Sequence, residues 1–511
     1  MATFVKAVTH SNVLTSISTK YKYFFLNASI RVSTRRCSTI PQNHENYDVI
    51  ISGGGMIGTT LACAIANNRK LECKKILLLE SGKKLEDEPR EQYSNRVVAL
   101  NQQTYILLSS IGAWQHIEAT RYCAVRKMQV WDACSDAMIV FNKDCLTEEI
   151  AYIVENDLLL QAVNKQLAKK ENVDVIYNSK VVHIKLPERS GENAEIQLQN
   201  GTTYRTKLLI GADGANSLVR QTMGTQYIKW DYNQLGVVAT LKLSEPTENI
   251  VAWQRFLPTG PIALLPLTDC LSSLVWSLPT DEAKRLLKVS EEEFVDSIND
   301  ALWRVYPKDG IIESGLRALE QLLEGLSLQT GVVRQLQPSV SAIVEGSRAA
   351  FPLHFGHSVC YVQTGTVLVG QVKEHNYVYS EYTLLYFYSM EHHFCTKFFR
   401  DAAHRIHPLA GQGVNLGFGD ITVLVKLLAE AVVTGASLGD IMYLRKYETL
   451  RQRYNVPVML SIDALHRLYK GTAAPVVLAR SLGLQLTNAI PVIKVKHDII
   501  KNNEVQCFTL Y

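Results

Sequence analysis

The first 44 of the 511 residues contain no Asp or Glu, and the ten cysteines include no CxxC pair. No uncharged apolar run approaches the ~18 residues that a membrane-spanning helix needs, so no transmembrane helix is predicted. Without paired spacing, the cysteines read as reduced thiols used mostly for packing, not as a disulfide framework or a zinc site. Net charge is only +4, and much of it lies at the N-terminus, so charge gives no support to nucleic-acid binding. A third scarcity is local. Residues 371–400 hold no Gly, Pro, Ala or Asp, while nine of the thirty are Tyr or Phe. Loops normally turn on Gly, Pro, Asn or Asp. An unstructured connection of this length inside a compact domain is improbable. The block reads as a foreign insertion, such as translated intron, and not as a functional loop.

The acid-free N-terminal segment carries Lys6, Lys20, Lys22, Arg31, Arg35 and Arg36 among many Ser and Thr. That is the composition of a mitochondrial transit peptide, with cleavage near Arg36-Cys37-Ser38. Over the full 511 residues, 47% apolar and 20% charged are ordinary for a soluble globular chain, long enough for two sizeable cores.

Folded pattern begins near Tyr47. DVIISGGG reads as a buried strand ending in glycines, MIGTTLACAIANN as a helix, and KKILLLE as a second strand ending at Glu80. The glycines form Gly53-x-Gly55-x-x-Gly58. The first permits the tight turn, the second lets a pyrophosphate approach backbone N–H groups, and the third lets helix and strand pack closely. Glu80, about 20 residues on, is placed to accept from ribose hydroxyls. A second strand-to-turn exit reads KLLIGADG, with Asp213 and Gly214 at the turn. The third block is DAAHRIHPLAGQGVNLGFGD, residues 401–420. Its glycines allow close backbone approach to a flat ligand, and Pro408 stiffens the entry. The apolar run after Asp420 predicts a helix fed by this turn, whose N-terminus favours negative charge. His404 and His407 stand at i, i+3 with no third ligand in metal-site spacing, so no metal is expected.

Residues 128–141 predict a hairpin, and 237–278 hold several short strands without intervening helices, which predicts an antiparallel sheet. Helical pattern resumes after Asp420 and runs to about 490. The 474–495 stretch reads either as a helix on a membrane surface or as one docked on the nucleotide-binding domain.

The three ordered motifs resemble those of the aromatic-ring flavin monooxygenases related to 4-hydroxybenzoate hydroxylase. Further stretches, including YSNRV, MQVWDAC, TKLLIGADG and YETLRQRYNVPV, are similar to the branch of that family serving ubiquinone synthesis. The resemblance covers nearly everything from Tyr47 to about Val495 except 371–400. It implies a mixed α/β (α+β) fold. A Rossmann-like FAD-binding domain would comprise 45–125, 150–225 and 350–450. An inserted antiparallel β-sheet substrate domain would comprise 126–149 and 226–349, and a C-terminal helical region 451–511.

FAD is the implied cofactor. Its implied contacts are Gly53, Gly55, Gly58, Glu80, Arg96 beside the flavin, Asp213 and Gly214 near the diphosphate, and Asp401 on the ribityl chain or a nearby phosphate. Pro408, Gly411, Gln412, Gly413 and Asn415 would lie against the isoalloxazine ring, with N–H groups of 413–415 facing its pyrimidine edge. The implied reaction is hydroxylation of a polyprenylated 4-hydroxybenzoate at ring C5 with O2. Electrons would come from a ferredoxin and its reductase, within a biosynthetic complex on the matrix face of the mitochondrial inner membrane. In the family the residue before the third-motif Asp is Gly; here it is Arg400. No catalytic acid or base can be named from the residues. Two other readings stay open: an NAD(P)H-dependent hydroxylase of a small soluble phenol, and a non-catalytic binding protein on the same fold.

Overall fold

The computed structural model describes residues 45–85, 91–142, 149–214, 217–325, 334–370 and 403–489. The acid-free N-terminal segment, the 371–400 block and Asp401 lie outside the described residues.

Three sheets organise the described chain. The first is built on β1 (Glu45–Ser52), which pairs in parallel with β2 (Ile76–Leu79) on one side and with Thr203–Gly211 on the other. Val173–Ile176 and Thr366–Leu368 extend it in parallel at either side. Val49, Ile50 and Ile51 are fully buried. A parallel strand covered on both faces needs such a continuous apolar run. Helix α1 (Met56–Asn67) follows β1 directly and is buried at every residue from Ile57 to Ala66, so it lies inside the core with no solvent-facing stripe.

The second sheet has nine strands and is mostly antiparallel. Its spine is the 17-residue strand Tyr227–Leu243, paired with Leu271–Pro279 and Ala349–Ser358. The expected 128–141 hairpin is present as Lys127–Asp132 against Met138–Asn142. It joins this sheet through a parallel pairing of Lys127–Asp132 with Val251–Leu257. A small third sheet sets Ala151–Glu155 between Val97–Leu100 and Cys123–Val125.

Three long helices close the described chain: the turn helix Gly413–Val433, the long helix Ile441–Lys470 and a last helix Ala474–Ala489. The last helix docks on the second sheet, not the first. Arg480 donates to Asp132 on the hairpin at 2.6 and 3.1 Å, and both side chains are buried. No described helix is long and apolar enough to cross a membrane.

One sequence expectation is corrected here. The turn helix starts at Gly413, not after Asp420, so Gly417 and Gly419 belong to a helix. Their small size serves packing. A Cβ on Gly417 would lie 2.7 Å from Ile57 Cδ1, and one on Gly419 would lie 2.7 Å from the Arg451 guanidinium.

Candidate functional site

The chain turns sharply out of β1 at Gly53, whose φ of +109° suits glycine alone. Gly58 permits the helix to start so close: a Cβ there would stand 1.9 Å from the Gly53 carbonyl oxygen. Gly55 occupies the N-cap of α1 with no side-chain cap bond. The helix N-terminus is therefore left without an internal acceptor, which is the usual arrangement for holding a phosphate. Glu80 is buried at the end of β2 and bends over this turn. Its Oε2 accepts from Gly54 N and its Oε1 from Gly82 N, both at 2.7 Å.

The second turn rests on the first. A Cβ on Gly53 would meet the Ala212 carbonyl oxygen at 2.3 Å and Asp213 Cα at 2.7 Å. Gly214 takes φ +71°. Asp213 Oδ2 accepts from Leu218 N at 2.7 Å and Val219 N at 3.4 Å. Its Oδ1 is buried and has no hydrogen-bond partner among the described residues. Burial raises the carboxyl's pKa, against the opposing bonds from Ser217, Val219 and Leu218. An unmet buried acceptor costs about 1–3 kcal/mol, so this oxygen is suited to accept from a donor outside the described residues, a bound ligand's included.

The third turn spans residues 407–413 and leads into the turn helix. His407 Nδ1 accepts from Leu409 N at 3.2 Å and starts the short 3-10 turn Pro408–Ala410. Gly411 follows at φ +60°. Gln412 is the N-cap of the turn helix, again with no side-chain cap bond. Gly413 and the residues after it carry first-turn N–H groups of the kind a helix leaves without carbonyl partners of its own. Asn415 does something the sequence did not indicate. Its Oδ1 accepts from Asn101 N and Thr104 Oγ1, and its Nδ2 donates to the Ala99 and Gly411 carbonyls. The side-chain amide is thus spent on pinning the turn to the third sheet. Arg96 leads into that same strand, with its carbonyl accepting from Asn156 N.

Ile57 joins the first and third turns, since Cβ atoms on Gly370 and Gly417 would stand 2.5 and 2.7 Å from its side chain. Gly53, Gly55, Gly58, Glu80, Asp213 and Gly214 gather at the N-terminal end of α1, and Ile57 in its first turn packs against the helix that the third turn leads into. Gly370 and Ala403, the described residues nearest Asp401 in the chain, lie side by side. Ala403 N reaches the Gly370 carbonyl at 3.5 Å. Gly370 N and His404 Nε2 both bond Asp420 Oδ2, at 2.9 and 2.8 Å.

Asp420 itself was missed by sequence reasoning. It is fully buried, and its Oδ1 takes Arg451 Nε at 2.7 Å and Asn455 Nδ2 at 3.2 Å. Burial alone would raise its pKa, but His404 and Arg451 outweigh that and hold the carboxyl well below the usual range. The available signal was a lone carboxylate in an apolar run, since a buried Asp is nearly always paired. His404 is thus committed to Asp420 and His407 to its turn. Among the described residues, no cluster of His, Cys, Asp or Glu could hold a metal.

Glycine turns against two uncapped helix N-termini, a buried carboxylate over the first turn and an unpartnered Asp213 oxygen fit a dinucleotide carrying both phosphates and hydroxyls. Such a fold and site define an FAD-binding oxidoreductase. A family described as FAD binding domain matches residues 46–309 and 399–456. Among solved structures, the chain is similar to PqsL of P. aeruginosa (TM-score 0.60, 17% identity, 86% of this chain and 99% of that one). It is also similar to p-nitrophenol 4-monooxygenase PnpA from Pseudomonas putida (TM-score 0.59, 15%, 88% and 96%). These likenesses establish the fold. Among curated relatives, the Danio rerio mitochondrial ubiquinone biosynthesis monooxygenase COQ6 is 47% identical over 459 residues, covering 88% of each chain. The Homo sapiens protein of that name is 46% identical over 88% of this chain and 91% of its own. The chain belongs to the COQ6 family of FAD-dependent monooxygenases of ubiquinone biosynthesis, and FAD is its cofactor.

Proposed function

We propose that the protein hydroxylates ring carbon C5 of a 4-hydroxy-3-polyprenylbenzoate-type intermediate, using O2 and electrons from a ferredoxin and its reductase. We place it peripherally on the matrix face of the mitochondrial inner membrane, within a biosynthetic complex. The observation that carries the substrate class is the identity of 46–47% to ubiquinone-pathway monooxygenases across 88% of the chain. When bound, FAD would activate O2, from which one oxygen atom passes to the ring and the other leaves as water.

The protein's own groups bind and orient. The α1 N-terminus at Gly55 to Gly58 takes the diphosphate. Glu80 and the open Asp213 oxygen take hydroxyls of the ribose and ribityl chain, and Asp401 joins them. Gly411 to Gly413 present backbone N–H groups that favour negative charge on the ring edge, with Arg96 alongside. The site must keep water out, because oxygen activated without a ring to attack is wasted.

The test is reconstitution of the purified protein with ferredoxin, its reductase and a short-tailed prenyl 4-hydroxybenzoate. The expected outcome is a ring-hydroxylated product that depends on ferredoxin. Direct oxidation of NAD(P)H with hydroxylation of a soluble phenol would point to the alternative enzyme. A colourless protein that cannot take up FAD would point to a binding protein.

A further inference from the structure

The long helix Ile441–Lys470 buries one side and leaves the other bare. Met442 and Leu460 are 75% and 51% exposed. Their spacing is about five full turns, so they share one line along the helix. Leu450 and Leu468, 44% and 38% exposed, share a second line, about 80° round from the first. Tyr447, Arg451, Val458 and Ile462 are buried on the far side. Arg445, Lys446, Arg453, Arg467 and Lys470 are all exposed. Neither carboxylate of the helix is. Asp463 is buried, and Glu448 is half-buried and accepts from Tyr361 N at 2.6 Å. Lys446 pairs with Glu430 at 3.1 Å and Arg467 with Asp463 at 2.7 Å. Arg445, Arg453 and Lys470 have no ion pair among the described residues. The last helix, Ala474–Ala489, is unusual in another way. A helix facing water normally carries its charges on the outer side. Here Arg480 is the only charged residue between Gly471 and Ala489, and it is buried against Asp132. The exposed positions Pro475, Ala479, Gly483 and Leu486 follow one stripe and carry no charge.

We infer that these two helices rest on an anionic lipid bilayer. Met442, Leu460 and Leu468 enter the headgroup boundary, and Arg445, Arg453 and Lys470 pair with its phosphates. The contact rests on the membrane placement proposed above and gives it a face.

Charge and spacing favour lipid over a protein partner. The unpaired cations are spread along a helix about 45 Å long. A protein would have to set an acid against each of them, whereas a bilayer offers phosphate at every position and needs no register. A rival basic surface lies where the ends of α1 and of the helix Asn156–Leu167 meet, joined by a bond from Lys170 Nζ to Asn67 Oδ1 at 2.8 Å. Lys70 and Lys169 are exposed there, but so are Glu72 and Glu171. That surface is mixed in charge. The buried side of the long helix holds the third turn: the His466 ring lies 4.5 Å from that of His407, and Arg451 pairs with Asp420 at 2.7 Å. The lipid-facing side is then about one helix diameter, ~10–12 Å, from that turn. This is a short reach for a substrate with a long prenyl tail.

The experiment is flotation of the purified, flavin-loaded protein with two kinds of vesicle: phosphatidylcholine alone, and phosphatidylcholine with about one-third phosphatidylglycerol. The wild type binds the anionic vesicles more tightly than the neutral ones, and added salt narrows the difference. Arg445→Gln with Arg453→Gln lowers binding to the anionic vesicles by roughly ten- to thirtyfold. Leu460→Ser with Leu468→Ser lowers binding to both kinds by roughly three- to tenfold, and Leu460→Trp raises it. Lys70→Gln with Lys169→Gln, on the rival surface, leaves binding unchanged. Flavin content is the same throughout, since all these side chains are exposed. Undiminished binding in both double variants of the long helix, or loss in the Lys70 and Lys169 pair instead, overturns this face and leaves the membrane placement standing. No vesicle binding by the wild type overturns both. Self-association that the leucine pair abolishes, with vesicle binding unchanged, makes the face an interface between copies and overturns the lipid contact.

Discussion

Replacing Asp420 by Asn should loosen the flavin site from behind. The carboxylate is fully buried and takes four hydrogen bonds, from Gly370 N, His404 Nε2, Arg451 Nε and Asn455 Nδ2. It thereby ties the end of a first-sheet strand, the segment leading into the third turn and two helices to one point. Asn keeps the shape but leaves the Arg451 guanidinium, 2% exposed, without its counter-charge. It also presents an N–H₂ to one of the existing donors. Breaking a buried ion pair by removing one partner costs about 3–5 kcal/mol, a large share of a typical ~5–15 kcal/mol. Urea unfolding followed by both flavin release and far-UV dichroism measures this. A loss below about 1 kcal/mol would refute the assigned role. Replacing both partners, Asp420→Leu with Arg451→Met, should recover much of the loss, because no buried charge is then left alone. The pH dependence has a defined sign. The folded-state pKa lies below the ordinary 3.8. The Asp420 contribution is therefore complete at neutral pH and is lost only as pH falls below that value towards the depressed one.

Other consequences are as direct. Gly58→Ala sets a Cβ 1.9 Å from a backbone oxygen and should cost about 1–3 kcal/mol with marked loss of bound flavin. Gly417→Ala meets only the end of the Ile57 side chain and a Cα at 3.2 Å, so it should cost less; flavin-to-protein ratios rank the two. Arg480→Met leaves Asp132 buried and unpaired, which should cost about 3–5 kcal/mol in urea unfolding, and a change under about 1 kcal/mol would contradict the pairing. Deleting 371–400 and restoring Gly before Asp401 should raise FAD retention, since Gly370 and Ala403 already meet across that junction; equal flavin content with and without the block would refute this.

The parts legible in the sequence were those whose physics is local. β1, β2 and the strand ending at Gly211 show themselves as apolar runs because each is covered on both faces. Gly53 and Gly58 were readable because a tight turn into a helix admits little else there. What stayed hidden depends on partners distant in the chain. Gly417 and Gly419 look like further turn residues until Ile57 and Arg451 arrive beside them. The Asn415 side chain is pinned by Asn101, Thr104 and Ala99, a role of which the sequence gives no local sign.

The central claim is that this chain uses FAD to place an oxygen atom from O2 onto a polyprenylated hydroxybenzoate ring. Mass analysis of the product formed under isotopically heavy O2 tests it most directly. The account predicts a single heavy oxygen in the product, as a new ring hydroxyl at C5. Product oxygen drawn from water, or no hydroxylated product from flavin-loaded enzyme, would contradict it.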